Sequence, residues 1–217
     1  MKTMFNAILG VSLVALAASP AYAQGRGGFG RGGGLGMLLG NASVQKELKL
    51  DDDQTTKANE LGQKLGAEMR EKMQDLSQEE RREKGPAIMR EINASAMKSA
   101  GEFLKADQLA RLKQISIQIQ GVRAFSDPDV AKKLNLTDSQ KSDIQTISES
   151  TMEELRGVPF GQDQSEEERA ANAKKRAEIN KGALEKVAGK LNDEQQKSWK
   201  ELIGAPFELK MNPRPAN

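Results

Sequence analysis

Two acidic clusters are the residues of this chain whose type and spacing come closest to chemistry. Asp51-Asp52-Asp53 and Glu166-Glu167-Glu168 could supply carboxylates for catalysis, and the aspartate cluster could offer oxygens to a calcium ion. The aspartate cluster lacks the alternating spacing of a loop that wraps calcium. Each cluster stands where a helix would begin, the second directly after Ser165. Acidic residues in the first turn are favoured by the helix dipole. We therefore interpret both clusters as helix starts.

The chain of 217 residues contains no histidine and no cysteine. Histidine is the commonest general base and transition-metal ligand, and cysteine supplies thiol nucleophiles and disulfides. We therefore expect a protein that is not an enzyme and that uses no cofactor and no metal. The G-x-G-x-x-G pattern at Gly25, Gly27 and Gly30 lacks the flanking strand and helix of a dinucleotide site. Arg26 and Arg31 give too little charge to predict a nucleic acid partner.

The first 23 residues have the layout of a secretory signal peptide. A basic start at Lys2 precedes an apolar run, and Ala21-Tyr22-Ala23 forms an A-x-A cleavage site. That run is too short to cross a bilayer, and no later segment approaches the roughly 18 apolar residues required. We expect cleavage after Ala23, a secreted or periplasmic location, and no integral membrane segment once the signal is removed.

A repeat organises the rest of the chain. Residues 24–43 are rich in glycine and predict a flexible leader, in which Met37-Leu38-Leu39 could dock locally. Every second residue from Val44 to Gln54 recurs from Val130 to Gln140, an offset of 86 residues. Further short matches follow downstream in the same order, at offsets of 87 and 88 residues. This predicts two tandem units, residues 44–121 and 130–204, and an irregular tail over 205–217.

Both units have the apolar spacing of α-helices, and no run of alternating β-branched residues indicates a strand. Charged residues make up 29% of the chain and aromatic residues only 4%, which favours slender helical hairpins over a compact globule. The sequence predicts an all-α fold of tandem-duplicated antiparallel helical hairpins, arranged as an extended bundle or a cradle. The first long stripe contains Ala58, Leu61, Leu65, Met69, Met73 and Leu76.

A short motif recurs four times. In Leu136-Thr137-x-x-Gln140 the threonine is placed as an N-cap with glutamine three residues later, which is the pattern of a capping box. Lys105 is a poor cap, so we expect its copy to lie inside a continuous helix. We predict that the motif is structural, with direct partner contact as the alternative. The motif residues are Leu50, Asp51, Gln54, Leu104, Gln108, Leu136, Thr137, Gln140, Leu191, Asn192 and Gln195.

The repeated motif, the intervening Glu79-Glu80-Arg81-Arg82, the helical pattern and the export signal together resemble the LTxxQ-motif periplasmic proteins of the Spy/CpxP type. The resemblance implies small helical proteins that dimerise into a curved cradle and act as ATP-independent chaperones or as regulators of envelope-stress sensor kinases. This chain departs from that pattern. Its motifs lie 54 or 55 residues apart within a unit, which predicts shorter hairpins, and two units share one chain. Some relatives bind zinc through histidine-rich ends, which this chain lacks.

The leading functional hypothesis is an exported, ATP-independent chaperone-like protein that binds partly unfolded envelope proteins through an apolar and basic helical surface. The alternatives are a regulatory adaptor of an envelope-stress sensor and a non-catalytic structural protein of the cell envelope. The expected partners are unfolded or envelope proteins or a sensor domain, and a homodimer is one expected state. Flexible methionines adapt to varied partners and arginines supply a basic rim. The candidate contact residues are Met69, Met73, Arg81, Arg82, Met89 and Met97.

Overall fold

The computed structural model describes residues 34–159 and 164–210. Over these residues the chain is all-α without any strand, which confirms the predicted fold class. The predicted signal peptide with its cleavage site, residues 24–33 of the leader and residues 211–217 of the tail lie outside the described residues.

The described part of the chain forms nine α-helices and one 3₁₀ helix. None of these helices is long and apolar enough to cross a membrane. Their bounds are α1 Leu35–Leu39, α2 Ala42–Glu47, α3 Asp52–Gln74, α4 Gln78–Ala100, α5 Ala106–Gln120, the 3₁₀ helix Gly121–Ser126, α6 Pro128–Lys133, α7 Asp138–Arg156, α8 Glu166–Ala188 and α9 Asp193–Ile203.

The first hairpin consists of α3 and α4. Three residues join them, so the helices run antiparallel and pack along their length. At the base of the hairpin, Ala58 and Leu65 of α3 and Ile92 and Ala96 of α4 are buried in one core. The short helix α1 lies across both helices and closes this core.

The second hairpin consists of α7 and α8, and the 3₁₀ helix lies against both. Its core contains Ile144 from α7 and Val187 from α8, each at most 1% exposed. Phe125 of the 3₁₀ helix stacks on Trp199 of α9, with ring centroids 4.1 Å apart. Each hairpin therefore has its own core, and each core is covered by a short helical segment that precedes the hairpin.

The described part of the glycine-rich leader is helical and buried. The prediction that residues 24–43 form a flexible leader is wrong for this part, because Leu35, Leu38 and Leu39 are at most 3% exposed. Their burial follows from a close approach at Gly62 of α3, where a Cβ would stand 2.6 Å from the Gly36 carbonyl oxygen. The absence of that Cβ lets α1 lie directly on α3, and its leucines cover the core.

The short helices that precede each hairpin match each other at the same offset of 86 residues. Asn41 caps α2 by accepting from the N–H of Ser43, and Asp127 caps α6 by accepting from that of Asp129. Two residues after each helix ends, the chain has a residue with positive φ, Lys49 at 52° and Asn135 at 49°. The repeat in the sequence begins at Val44 and Val130. The similarity in structure begins three residues earlier, at Asn41 and Asp127.

Helix α5 contributes buried residues to both cores. Its Leu112 and Ile115 lie in the first core and its Ile117 lies in the second. Helix α9 packs on α5. The Gln118 side chain donates to the Ala205 carbonyl at 2.8 Å and accepts from the Phe207 N–H at 3.0 Å. The described end of the chain is therefore irregular but packed.

The tail returns to the first core. Leu209 is buried there at 8% exposure, and Phe207 packs against the same core. The Lys210 carbonyl accepts from the Asn41 side chain at 2.8 Å. The tail thereby ties α9 of the second unit to α2 of the first.

Candidate binding surface and the paired glutamine caps

Three of the four motif copies begin helices with complete capping boxes. The side chain of Asp51 accepts from the Gln54 N–H at 2.8 Å, and that of Asn192 accepts from the Gln195 N–H at 2.9 Å. Thr137 Oγ1 accepts from the Gln140 N–H at 3.2 Å. In each box the glutamine side chain accepts from the cap's own N–H. Each cap of this kind stabilises its helix by about 1 kcal/mol.

The copy at Lys105 corrects a prediction. Helix α5 begins at Ala106, so this copy does not lie inside a continuous helix. The Lys105 N–H donates to Gln108 Oε1 at 2.9 Å. A lysine side chain has no acceptor, so only this half of the capping box forms. The helix starts here because α4 has ended at Ala100 and the motif's Leu104 is buried in the first core.

The glutamines of the motif pair with each other across the base of the first hairpin. Gln54 Nε2 donates to Gln108 Oε1 at 2.8 Å, and Gln108 Nε2 donates to Gln54 Oε1 at 3.0 Å. The same two amides also donate to the carbonyls of Phe103 and Leu48, at 2.9 and 3.1 Å. Both side chains are 7% exposed, so a buried polar pair joins the starts of α3 and α5.

The second unit repeats this pair. Gln140 Nε2 donates to Gln195 Oε1 at 2.7 Å, and Gln195 Nε2 donates back at 2.9 Å. The carbonyls of Lys190 and Asn135 accept the remaining donors, at 2.8 and 3.3 Å. Sequence reasoning missed both pairs. The signal that could have found them is the nearly equal spacing of 54 and 55 residues between the paired glutamines.

The motif leucines anchor the paired caps. Leu104, Leu136 and Leu191 are buried, at 6 to 7% exposure, while Leu50 is half-buried against the first core. An apolar residue just before the cap fixes the direction in which the chain enters the helix. The motif residues therefore form the base of each hairpin, and most of them offer little surface to a partner.

The first hairpin continues beyond its core as a two-helix arm. We define the distal arm as residues 66–91, the part of α3 and α4 between buried Leu65 and buried Ile92. Gly85 is the one buried residue in this range. An arm without a core beneath it presents the sides of its seam to solvent. Its half-buried apolar residues are Met69, Met73, Leu76, Ile88 and Met89.

Three of the four candidate methionines, Met69, Met73 and Met89, lie on the distal arm. Met73 crosses the arm, with its Cε 3.3 Å from where a Cβ of Gly85 would stand. Met89 Sδ lies 3.2 Å from where a Cβ of Gly34 would stand. Met69 packs against the end of the first core. Met97 lies beyond Ile92 at the base of the hairpin, where it packs against the core.

The two candidate arginines have different environments. Arg81 folds back onto the end of α3, and its guanidinium donates to the carbonyls of Met73 and Gln74 at 3.0 and 3.2 Å. It therefore adds side-chain hydrogen bonds to two carbonyls in the last turn of α3, one of which, that of Met73, also accepts from the backbone N–H of Leu76. Arg82 is exposed beside it, and its guanidinium is the candidate that faces solvent.

Ser77 and Glu80 close the tip of the arm with another capping box. The Ser77 N–H donates to Glu80 Oε2 at 3.0 Å, and Lys84 donates to Glu80 Oε1 at 3.0 Å. The backbone N–H of Ser77 is the larger cause, and together with Lys84 it lowers the pKa of Glu80 to about 2. Glu168 occupies the matching box with Ser165, whose backbone N–H also lowers its pKa.

The described residues of the second hairpin, 138–159 and 164–188, form no comparable arm. Helix α7 has 19 residues where α3 has 23, and the hairpin stays packed to its end, with Thr151 at 3% and Val158 at 2% exposure. Arg176 donates to the carbonyls of Leu155 and Val158 there. Met152 is exposed on this hairpin, and among the described residues the other large apolar side chain with such exposure is Met37.

The acidic clusters lie at helix starts in the structure. Asp51 is the cap of α3, with Asp52 and Asp53 in its first turn, and Glu166 to Glu168 occupy the first turn of α8. Across the described residues, no group of three or more acidic side chains converges on a position for a metal ion.

Over residues 34–159 and 164–210, the fold and these contacts define an all-helical protein with a paired-glutamine base under each hairpin and an arm that extends beyond the first core. No family model, no curated protein and no solved structure matches this chain.

Proposed function

We propose that this chain is an exported, ATP-independent chaperone-like protein that binds partly unfolded envelope proteins through the distal arm. The observation that carries the proposal is that no apolar side chain is buried in the arm between Leu65 and Ile92, where five of them remain partly exposed. Methionine side chains are flexible and polarisable, so they adapt to clients of different shape. A groove or arm of this kind binds apolar segments without requiring one sequence.

Charges around the apolar seam support the same role. Lys72 of α3 pairs with Glu91 of α4 at 2.8 Å, and Lys84 pairs with Glu80 at 3.0 Å, so both lysines are engaged within the arm. Arg82 and Arg70 are exposed on it. Exposed charges steer the encounter with a client, and salt screens their attraction to it. Such weak attraction favours fast exchange of clients.

Suppression of client aggregation tests the proposal. A chemically denatured client is diluted into buffer with the full chain, and light scattering is followed over time. We expect suppression by the unaltered protein and loss of most of it when Met69, Met73 and Met89 are all replaced by glutamine, which keeps length and helix propensity. Met37→Gln is the matched control, because Met37 is 41% exposed outside the arm.

Two outcomes would reject the proposal. Absence of suppression at severalfold molar excess removes the chaperone role, and suppression that the triple substitution leaves intact removes the arm as its site. Thermal unfolding followed by circular dichroism verifies that each variant is folded. Because Arg81 caps α3, its substitution would mix stability with binding, so Arg82→Gln is the appropriate test of the basic rim.

Cross-linking from the arm distinguishes a chaperone from an adaptor. A photoreactive amino acid at position 70, which is exposed on the arm, is activated in cell envelopes that contain the protein. Many cross-linked products of different mass support client binding. A single stoichiometric product supports the regulatory adaptor instead.

A further inference from the structure

The segment that follows α9 lies on the first unit in the manner of a bound peptide. Gly204, with a φ of 63°, turns the chain away from α9, and we define the docked tail as residues 205–210. Phe207 packs against the first core, and Leu209 is buried in it at 8% exposure. The exposed residues beside them are Pro206, Glu208 and Lys210. Exposure that alternates along the chain is typical of extended backbone, in which successive side chains point to opposite sides.

One glutamine of α5 holds the backbone of the docked tail. Gln118 Nε2 donates to the Ala205 carbonyl at 2.8 Å, and Gln118 Oε1 accepts from the Phe207 N–H at 3.0 Å. A single side-chain amide thus pairs with a carbonyl and an N–H of two alternate residues. The backbone of a neighbouring strand pairs with the same groups in a β-ladder. Any peptide can supply them, because every residue except proline carries both a carbonyl and an N–H.

The start of α2 holds the other end of the docked tail. Ser43 Oγ accepts from the Lys210 N–H at 3.1 Å, and Asn41 Nδ2 donates to the Lys210 carbonyl at 2.8 Å. Among the described residues, all hydrogen bonds to the docked tail use its backbone, and none uses one of its side chains. The hydrogen bonds therefore fix the course of the backbone, and the apolar contacts of Phe207 and Leu209 select side chains.

The docked tail can leave this surface without the unfolding of a helix. It contains no helical residue, and Leu209 is its one buried side chain. A short segment of this kind opens locally at a lower free energy than packed helices do. Opening exposes the apolar patch under Phe207 and Leu209 together with the amides of Gln118 and Asn41. A second segment with the same features can then bind in its place.

We propose that α5 and the start of α2 form a docking site for an extended segment of another protein that has an apolar side chain at every second residue. The docked tail competes with this partner. It shows what the site accepts, which is backbone groups at two points and an aromatic residue followed two positions later by an aliphatic one. Main-chain hydrogen bonds give affinity in such recognition, and pockets for alternate side chains give specificity. The residues that hold the docked tail lie outside the distal arm, so the site does not depend on the chaperone proposal.

Fluorescence anisotropy with a labelled peptide tests the proposal on the full chain. The probe has the sequence of residues 204–210 with blocked ends, and the docked tail is emptied by Phe207→Ser together with Leu209→Ser. We expect saturable binding of one probe per emptied-tail chain. Binding to the unaltered chain should be weaker by about tenfold or more, because a tethered segment competes at an effective concentration near the millimolar range.

Two altered probes separate backbone recognition from side-chain recognition. A probe with serine at the positions of Phe207 and Leu209 keeps the backbone groups but loses the apolar contacts, so it should bind much more weakly. A probe with lysine at the position of Glu208 should bind with about the same affinity as the original, since Glu208 is exposed.

Substitutions on α5 assign the binding to this surface. In the emptied-tail chain, Gln118→Ala should weaken probe binding at least about fivefold, because it removes two hydrogen bonds to the probe backbone. Gln120→Ala is the matched control on the same helix, since the Gln120 side chain donates to Ser116 Oγ and not to the docked tail. Circular dichroism verifies that each variant is folded.

Methyl NMR of the unaltered chain tests displacement without any substitution. Excess unlabelled probe should shift the Leu209 methyl signals toward those of an exposed leucine and leave those of Ile144, in the second core, unchanged. The proposal is overturned by Leu209 signals that the probe leaves unchanged, by a serine probe of equal affinity, or by Gln118→Ala without effect. A dimer of the unaltered chain that light scattering detects and the emptied tail abolishes would also overturn it, because the partner would then be a second copy.

Discussion

The side chains of Gln54 and Gln108 exchange two hydrogen bonds, at 2.8 and 3.0 Å, across the base of the first hairpin. Each glutamine also receives its own cap's N–H, at 3.2 Å for Gln54 and 2.9 Å for Gln108. One amide pair therefore ties together two helix starts that are 54 residues apart in sequence. The arrangement explains why a local capping motif recurs with long-range regularity.

Breaking this pair should destabilise the protein cooperatively. Gln54→Ala leaves buried donors and acceptors on Gln108 unpaired, which we expect to lower the free energy of unfolding by about 1–3 kcal/mol. Gln54→Ala with Gln108→Ala should cost less than the sum of the single changes, as urea unfolding would measure. Gln63→Ala, at an exposed position of α3, is the control with little effect. Additive costs would show that the pair is not coupled.

Two glycines one turn apart on α3 should respond oppositely to alanine. At Gly62 a Cβ would stand 2.6 Å from the Gly36 carbonyl oxygen, so Gly62→Ala should push α1 away and destabilise by about 1–3 kcal/mol. No atom lies within 4 Å of a Cβ at Gly66. Gly66→Ala should therefore stabilise by about 0.5–1 kcal/mol through helix propensity. Equal effects of the two substitutions on the unfolding midpoint would contradict the close approach of α1.

The backbone at Lys49 is more strained than the backbone at its counterpart in the second unit, Asn135. Both Lys49 and Asn135 have positive φ, which asparagine tolerates better than lysine. Lys49→Asn should raise the free energy of unfolding by up to about 1 kcal/mol, and Asn135→Lys should lower it similarly. Chemical denaturation of the two variants measures both. A destabilising Lys49→Asn would mean that the lysine side chain contributes more than the strain costs.

The carboxyl groups of Glu80 and Glu168 should titrate differently. The Ser77 N–H and Lys84 lower the pKa of Glu80 from 4.5 to about 2, and Glu168 has a serine cap without a neighbouring lysine contact. Because the folded pKa lies below the ordinary value, the stability from Glu80 is present above pH 4.5 and is lost as the pH falls toward 2. Carbon-detected NMR titration should show Lys84→Asn raising the pKa of Glu80. An unchanged titration would exclude Lys84 as a cause.

Local features of the sequence predicted much of this protein. The 3.6-residue apolar spacing predicted α3, α4, α7 and α8, and a serine, threonine or aspartate followed by glutamine or glutamate marked where several helices begin. These signals are legible because helix periodicity and capping depend on residues within about one turn of each other. The start of α5 escaped prediction because Lys105 cannot act as a side-chain cap. Its N–H is held instead by Gln108 of the same helix, and the Gln108 side chain is positioned by Gln54 of α3.

Contacts between distant residues were decided only by the tertiary structure. The burial of Leu38 depends on the gap at Gly62, and the tail packs because Leu209 finds the core of the first unit. Arg81 looked like a free basic residue, yet it caps α3. The repeat and its helix starts could be predicted because they depend on residues that are close together in the sequence. The glutamine pairs, the covered leader and the uncovered arm required the packing of whole helices, because a contact between residues far apart in sequence depends on every element that brings them together.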